Sequence, residues 1–361
     1  MKSFPRIIYT LVAVVAGLTI GTLLFIPFNV NPIAAYQTMF GEAFLSRQGI
    51  GTTLTKATPL IFVGLGTLVA WKSGFYYLGF QGTLYLGATG ATLVALGARD
   101  GHILAGIPSP LLMVISLLAA FAFGGLWALI VGVLKVSKGG NDVLLSLMFN
   151  YVAVYLVNYL VTRPLRAEGS LPQTERFPDR ATLPRLLGET NDLHFGFVVA
   201  LLAAGVVWYV MRFTSIGYQF TSFGLNERAS RYAGINAKRV TLVAAFTAGG
   251  LGALAGWSQV LGVQYRLLDG LDQVTGFEGI VTALLGGLNA IGAVFAAILY
   301  GGLVYGAQVM QRRIDIPSSV ASMIQGVIVL LVLTGPIWGH FVARWRRRNK
   351  SNGVSEGIAV Q

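Results

Sequence analysis

The stretch Ser109-Pro-Leu-Leu-Met-Val-Ile-Ser-Leu-Leu-Ala-Ala-Phe-Ala-Phe-Gly-Gly-Leu-Trp-Ala-Leu-Ile-Val-Gly-Val-Leu134 contains no Asp, Glu, Lys or Arg. About 20 apolar residues make a helix long enough to cross the hydrocarbon core of a bilayer, and this segment exceeds that. Read outward, its charge-free run begins at Gly101, and similar runs fill the chain. They are Ile7–Gly41, Ser73–Ala98, Val143–Thr162, Leu193–Met211, Val240–Tyr265, Gly279–Gln311 and Ile316–Ala343, with Ala57–Trp71 a shorter one. The composition agrees: 55% of the 361 residues are hydrophobic and 11% are charged. A soluble chain of this length needs more charge to cover its surface. The fold class read from this is all-α and integral to a membrane, with about ten transmembrane helices.

The spans expected are 7–28, 52–71, 74–97, 110–134, 142–162, 194–212, 240–262, 275–288, 290–311 and 317–341. Residues 1–345 then form one polytopic domain, followed by a short basic-then-polar tail over 346–361. Lys2 and Arg6 precede the first apolar run as they would in a signal peptide, but a signal's apolar region is only about 7–15 residues long. This one continues to Pro27, so an uncleaved first span is expected. With the amino terminus placed in the cytoplasm, the inner segments carry fifteen basic residues against Asp142, Glu227 and Glu356. The outer segments balance. Retention of basic residues on the cytoplasmic side supports this orientation, with both termini inside. The net charge of +12 is therefore a topology signal, and membrane lipid rather than nucleic acid is the expected surrounding.

Thr275–Gln311 is short for two full spans. The reading is a half-length helix, Gly276–Gly287, a turn at Gly286-Gly287-Leu288-Asn289, and a full helix after it. Short helices are tolerated where they line a cavity rather than lipid.

Two polar segments stand out. The outer loop, 163–193, contains Pro164, Pro172, Pro178 and Pro184 and balances its charges; it reads as a solvated connector or as a docking surface for an extracytoplasmic protein. The inner segment, 217–239, is more informative. Asn226 can cap a helix by accepting from a free first-turn amide. Glu227 suits the positive end of the helix dipole, and Arg231 follows four residues later in the favourable order for an acid–base pair. Gly234 supplies a left-handed stop. The result is a two-turn helix, Glu227–Ala233, on the cytoplasmic surface, either an ordinary capped loop helix or a rigid contact for a motor subunit.

Chemistry is sparse. No G-x-x-x-x-G-K-[S/T] loop occurs, so ATP binding by that means belongs to a separate subunit. His102, His194 and His340 lie far apart without metal-ligand spacing, the chain has no cysteine, and no cofactor site is expected. No G-x-S-x-G turn or intramembrane carboxylate pair suggests an enzyme. Lys56, Asp142 and Glu278 fall at or near expected span ends, so the mid-membrane charges of an ion-coupled secondary transporter are missing; that class is the alternative reading. The spans offer neutral polarity instead. Asn150 and Asn158 lie eight apart, with Tyr151, Tyr155 and Tyr159 at helical spacing. An asparagine in lipid needs a partner, so the two amides either line a passage or bond one helix to another. Gln81, Asn150, Tyr151, Asn158 and Glu278 are the candidates for a translocation path.

Four stretches together resemble the permease family of ABC importers that carry ribose-type sugars and nucleosides, especially the longer permease of nucleoside-type systems. They are Thr53-Leu-Thr-Lys-Ala-Thr-Pro-Leu-Ile-Phe-Val-Gly-Leu65, Leu145-Ser-Leu-Met-Phe-Asn-Tyr151, Gly224-Leu-Asn-Glu-Arg-Ala-Ser-Arg-Tyr-Ala-Gly-Ile235 and Gly276-Phe-Glu-Gly-Ile-Val-Thr-Ala-Leu-Leu-Gly286. In the outer loop, Leu171-Pro-Gln-Thr174 and Ala181-Thr-Leu-Pro184 fit as well. The resemblance implies a type II-like importer bundle in a bacterial inner membrane, moving a nucleoside or simple sugar inward. It implies that Asn226, Glu227, Arg228, Ala229, Ser230, Arg231, Tyr232, Ala233 and Gly234 form the coupling helix that touches an ABC ATPase. It implies further partners: a second related permease in a heterodimer and an extracytoplasmic solute-binding protein. Two positions depart from the family's pattern. Gln81 stands where an acid is usual, and Thr221 where an arginine is frequent.

Overall fold

The computed structural model describes residues 19–22, 31–169, 171–188, 191–271, 274–314 and the single positions 320, 323, 326, 327 and 330. The expected spans 7–28 and 317–341 fall almost wholly outside the described residues, as do Lys2, Arg6, His340 and the basic tail. The chain divides into two compact units, Glu42–Tyr305 and Met1–Gly41 with Gly306–Gln361.

The helices in chain order are α1 (Pro32–Phe44), α2 (Arg47–Lys72), α3 (Phe80–Gly97), α4 (Ser109–Lys138), α5 (Asp142–Thr162), α6 (Gly196–Phe213), α7 (Ser215–Leu225), α8 (Glu227–Tyr232), α9 (Ala237–Gln259), α10 (Thr275–Leu285) and α11 (Ala290–Ile314). A π turn, Val260–Gln264, extends α9. Among the described residues, six helices are long and apolar enough to cross a membrane: α2, α4, α5, α6, α9 with its extension, and α11.

In the unit Glu42–Tyr305, α2 and α9 run through the centre, with 89% and 78% of their apolar windows buried against 22% for α5 and α6. Helix α3, polar for a span, has Gln81, Thr83, Thr89 and Thr92 all buried. Three of these threonines return their hydroxyls to the helix's own backbone, Thr92 to the Ala88 carbonyl at 2.7 Å, so no polar group is stranded.

Small residues let these helices meet backbone to backbone. A Cβ added at Gly249 of α9 would stand 2.5 Å from the Gly124 carbonyl oxygen of α4, and one at Gly124 would stand 2.7 Å from the Gly249 carbonyl oxygen. The same close approach recurs where Gly87 of α3 meets Ala253 of α9. In lipid, where hydrocarbon is as apolar as a leucine side chain, such close van der Waals packing holds helices together. Trp257 fills the adjoining space completely and donates its indole N–H to Ser116 Oγ at 2.9 Å. In the other unit, Gly306 approaches the Met39 backbone in the same manner.

The span boundaries differ from expectation at three places. Helix α3 starts at Phe80 rather than 74, because Gly74 turns left-handed (φ 72°) and Ser73–Gly79 folds as a connector around the buried rings of Phe75 and Tyr77. Helix α2 starts at Arg47, capped by Ser46 Oγ, so Lys56 lies well inside the helix rather than at its end. Helix α6 starts at Gly196, leaving His194 in the preceding loop. Two helices not anticipated are α1, where Asn31 caps and Pro32 takes the first position that suits its missing N–H, and α7. Thr275–Gln311 folds as read: a helix of eleven residues, a turn with Gly287 and Leu288 at positive φ, then α11, whose start Asn289 caps.

Candidate functional site

Three groups of polar residues occupy distinct places in the unit Glu42–Tyr305. The first is the surface around α8. Thr214, extended at ψ 158°, ends α6 and restarts the chain as α7. Helix α7 buries Phe220 and Phe223 and brings Gly224 so close to the Lys72–Gly74 backbone that a Cβ there would stand 3.0 Å from the Gly74 nitrogen. Asn226, the next residue but one, is the N-cap of α8 and accepts from the Ala229 N–H at 3.0 Å. Glu227 accepts from Arg231 at 2.6 Å, one turn on. Gly234 turns left-handed (φ 83°), and Asn236 caps α9 by accepting from Arg239 N–H at 3.1 Å. Only Ser230 of this helix is buried; Arg228, Ala229 and Ala233 are exposed, and Tyr232 is 94% exposed.

Beside α8 lies an open, polar cavity of about 930 Å³, lined in part by Tyr76, Lys135, Glu227, Arg231 and Lys238. Its floor is braced by Lys135, which donates to Asp142 Oδ2 at 2.6 Å and to the Gly74 carbonyl at 2.9 Å. The same Asp142 oxygen accepts from Tyr76 N–H at 2.7 Å. Sequence reasoning placed Asp142 only at a span end; its bond to residues 66 positions away carries no local signal.

The second group contains most of the candidate path residues, and the structure uses them as fasteners. Asn150 is buried; its carbonyl oxygen accepts from Gly82 N–H at 2.8 Å and its amide donates to the Leu78 carbonyl at 3.0 Å. Those are backbone groups at the start of α3, where a helix leaves N–H groups without intrahelical partners. Ser146, one turn earlier, accepts from Leu78 N–H at 3.0 Å. Gln81 does the same service for α10: its Oε1 accepts from Gly276 N–H at 2.9 Å. That bond needs only an acceptor, which an acid at this position would also supply. Glu278 sits in the first turn of α10, two residues beyond Gly276. Asn158 is tied elsewhere, donating to Asp269 Oδ1 at 2.6 Å. Tyr151 points away from Asn150, 69% exposed, so the two do not share a face.

The third group is the loop 163–193, a packed cap over one end of the helices. Thr174, Phe177 and Leu183 donate backbone N–H groups to Leu267, Tyr265 and Leu261 carbonyls, each at 2.9 Å. Arg180 reaches Asp100 Oδ1 at 2.8 Å and the Ala98 and Ala105 carbonyls, and Arg99 pairs with Glu175. Asn191 donates to the Arg47 carbonyl at 3.3 Å. His194 is 1% exposed, abuts Gly262 of the π turn, and accepts from Gly196 N–H through Nδ1 at 3.1 Å. Burial pushes its pKa down to about 4. His102 is exposed. Among the described residues no cluster of three His, Cys, Asp or Glu side chains could hold a metal.

The cap and α8 stand at opposite ends of α2. Asn191 binds the Arg47 end and Gly224 abuts the Lys72 end, separated by 26 residues, about 38 Å of helix.

Comparison with known proteins places this architecture. Residues 49–333 match the family described as branched-chain amino acid transport system / permease component. The chain is 32% identical to the guanosine ABC transporter permease protein NupP of Bacillus subtilis, covering 92% of this chain and 94% of that one. It is 31% identical to the glucose ABC transporter permease protein TsgB13 of Haloferax volcanii, covering 95% and 92%. It is 28% identical to the nucleoside ABC transporter permease protein NupB of Lactococcus lactis, covering 91% and 90%. The ion-coupled alternative gives way to this likeness. The chain belongs to this permease family and is a membrane-embedded transport subunit of an ABC importer, not an enzyme.

Proposed function

We propose that this chain is the longer of two related permeases in a nucleoside importer of a bacterial cytoplasmic membrane, and that α8 is its contact with the ATPase. The observation that carries the reading is α8 itself: a helix fixed at both ends, by the Asn226 cap and the Gly234 turn, yet exposed on nearly every side. A helix rigid at its ends and open on its flanks is suited to sit in another subunit's cleft and move as one body with it. Gly224 passes that motion to α2, against whose end it lies. The neighbouring cavity beside Lys135 and Lys238 leaves room for the partner's acidic and backbone acceptor groups.

The nucleoside assignment rests on the sequence resemblance and on relatives named for guanosine and nucleosides. A relative named for glucose makes sugar the second reading. Ten passes with both termini in the cytoplasm follow from the charge asymmetry, which puts α8 inside and the cap over 163–193 outside, available to a solute-binding protein.

The test is the Arg228→Glu/Arg231→Glu double variant in the complete importer. ATP-driven nucleoside uptake is expected to fall to background while the chain stays inserted at parental level. Parental uptake by that variant would remove the coupling assignment.

A further inference from the structure

The connector Ser73–Gly79 joins α2 to α3, yet its main chain is fastened to α4 and α5. Lys135 of α4 donates to the Gly74 carbonyl at 2.9 Å, and its ammonium stands 5.3 Å from the centre of the Phe75 ring. Three side chains one turn apart on α5 hold the rest. Asp142 accepts from Tyr76 N–H at 2.7 Å and Ser146 from Leu78 N–H at 3.0 Å, while Asn150 binds the Leu78 carbonyl and Gly82 N–H. Irregular backbone has no partners of its own for these groups, so some fastening is required. That α5 supplies it is particular to this fold.

Asp142 can serve the connector because its neighbour does the capping. Gly139 ends α4 in a left-handed turn (φ 66°), and Asn141 caps α5 by accepting from Val143 and Leu144 N–H. Asp142 reaches back across that turn to Lys135 at 2.6 Å. Its side chain is 13% exposed, and one oxygen, Oδ2, takes both the Lys135 and the Tyr76 bonds. Hydrogen bonds to an ionised group are about twice as strong as neutral ones.

Two features join this knot to α8. Gly224, two residues ahead of the α8 cap, lies against the Lys72–Gly74 backbone, where Lys135 is bound. Tyr76 and Lys135 line the same cavity as Glu227 and Arg231 of α8. Helix α5 is otherwise lightly held, with 22% of its apolar window buried. Beyond Asn150 it meets the fold through the stripe Ala153, Val157 and Val161 and through the Asn158–Asp269 bond near its far end. Packed apolar stripes allow small sliding movements, whereas directional hydrogen bonds carry a displacement with them.

We propose that Asp142 is the positioning residue that makes α5 move with α8 in the transport cycle, acting through the Tyr76 backbone and Lys135. This rests on the reading of α8 as the ATPase contact. A push on α8 reaches Gly74 through Gly224. The closed ring of bonds Gly74–Lys135–Asp142–Tyr76 carries it into α5 and the end of α4. Asn150, two turns deeper, holds the start of α3. Asp142 sets how much of the ATPase's movement becomes transport.

The test measures uptake and ATP hydrolysis together in the complete importer in vesicles, with guanosine as the probe. Asp142→Ala is expected to keep hydrolysis within about twofold of the parent while solute moved per ATP falls about tenfold. Asp142→Asn keeps an acceptor for Tyr76 and is expected to recover most of that ratio. Lys135→Met/Asp142→Ala is expected to do no further harm, since both changes open one ring. Uptake and hydrolysis falling in equal proportion overturns the proposal in favour of a purely structural pair. Parental values of both overturn it outright. A second measurement leaves Asp142 in place. The chain has no cysteine, so spin labels on Tyr151→Cys of α5, Tyr218→Cys of α7 and Phe295→Cys of α11, all exposed positions, are the only ones it carries. Between the nucleotide-free and ATP-bound importer, the distance from 218 to 295 is expected to change more than that from 218 to 151. A change from 218 to 151 that is no smaller overturns the proposal. Failure of the importer reading is separate, and appears as absent ATP-driven uptake by the parent.

Discussion

Gln81, in the first turn of α3, accepts a hydrogen bond from the backbone N–H of Gly276, 195 residues later, and both partners are buried. The bond satisfies one of the first-turn N–H groups of α10 that the helix cannot satisfy itself. Gln81→Leu strands that N–H, at a cost of about 1–3 kcal/mol. The expected outcome is a lower thermal midpoint of the detergent-purified chain. Gln81→Glu keeps an acceptor and is expected to remain closer to the parent.

Asn150 predicts a similar result at the start of α3. Asn150→Leu leaves the Gly82 N–H and the Leu78 carbonyl unpaired together. Folding is therefore expected to suffer before transport does, about 2 kcal/mol or more. The amount of folded protein in the membrane, measured beside the uptake rate per molecule, checks this: reduced amount with normal rate is the expected pair of values.

At Gly249 the backbones of α9 and α4 leave no room. Gly249→Leu has to displace the Gly124 carbonyl and the Ala128 methyl, so α9 and α4 must separate. Overpacking of this kind costs about 1–3 kcal/mol or more. Loss of monodisperse protein on size-exclusion chromatography is expected, whereas substitution at exposed Gly234 spares packing and strains only the left-handed turn.

His194 makes stability depend on pH with a definite sign. Its folded pKa, about 4, lies below the ordinary 6.5. As pH falls below 6.5 the unfolded chain takes the proton first, so stability is intact above 6.5 and is lost down to about 4. The full loss is about 3 kcal/mol. Thermal midpoints measured at pH 7 and pH 5 are expected to drop for the parent and to drop less for His194→Gln, which does not titrate.

Local signals carried the parts of the fold that depend on neighbours in sequence. Asn226, Glu227, Arg231 and Gly234 mark α8 because capping and pairing act over one or two turns, and the turn at Gly286–Asn289 is visible for the same reason. The start of α3 was not legible at Phe80, because Phe75 and Tyr77 look like span residues until their burial in a connector is seen. The asparagines of α5 looked alike in sequence, yet Asn150 fastens the start of α3 while Asn158 binds a carboxylate in a distant loop. Asn150 and Tyr151 read in sequence as candidates for one path, yet the structure turns them to different sides of α5. The loop 163–193 reads in sequence as a solvated connector or a docking surface; its packing as a cap is not visible there, since its order comes from backbone bonds to residues near 261–267.

Helix α2 has Asn191 at one end, Gly224 at the other, and Pro59 near its middle. Proline brings no N–H to the helix ladder, so this rod has one backbone bond fewer at its midpoint than anywhere else along its buried length. A beam weakened at its centre bends there first. A force entering at the Lys72 end is therefore expected to bend α2 at Pro59 before it bends elsewhere. One continuous helix thus joins the cap to the surface around α8, with its missing backbone bond midway between them.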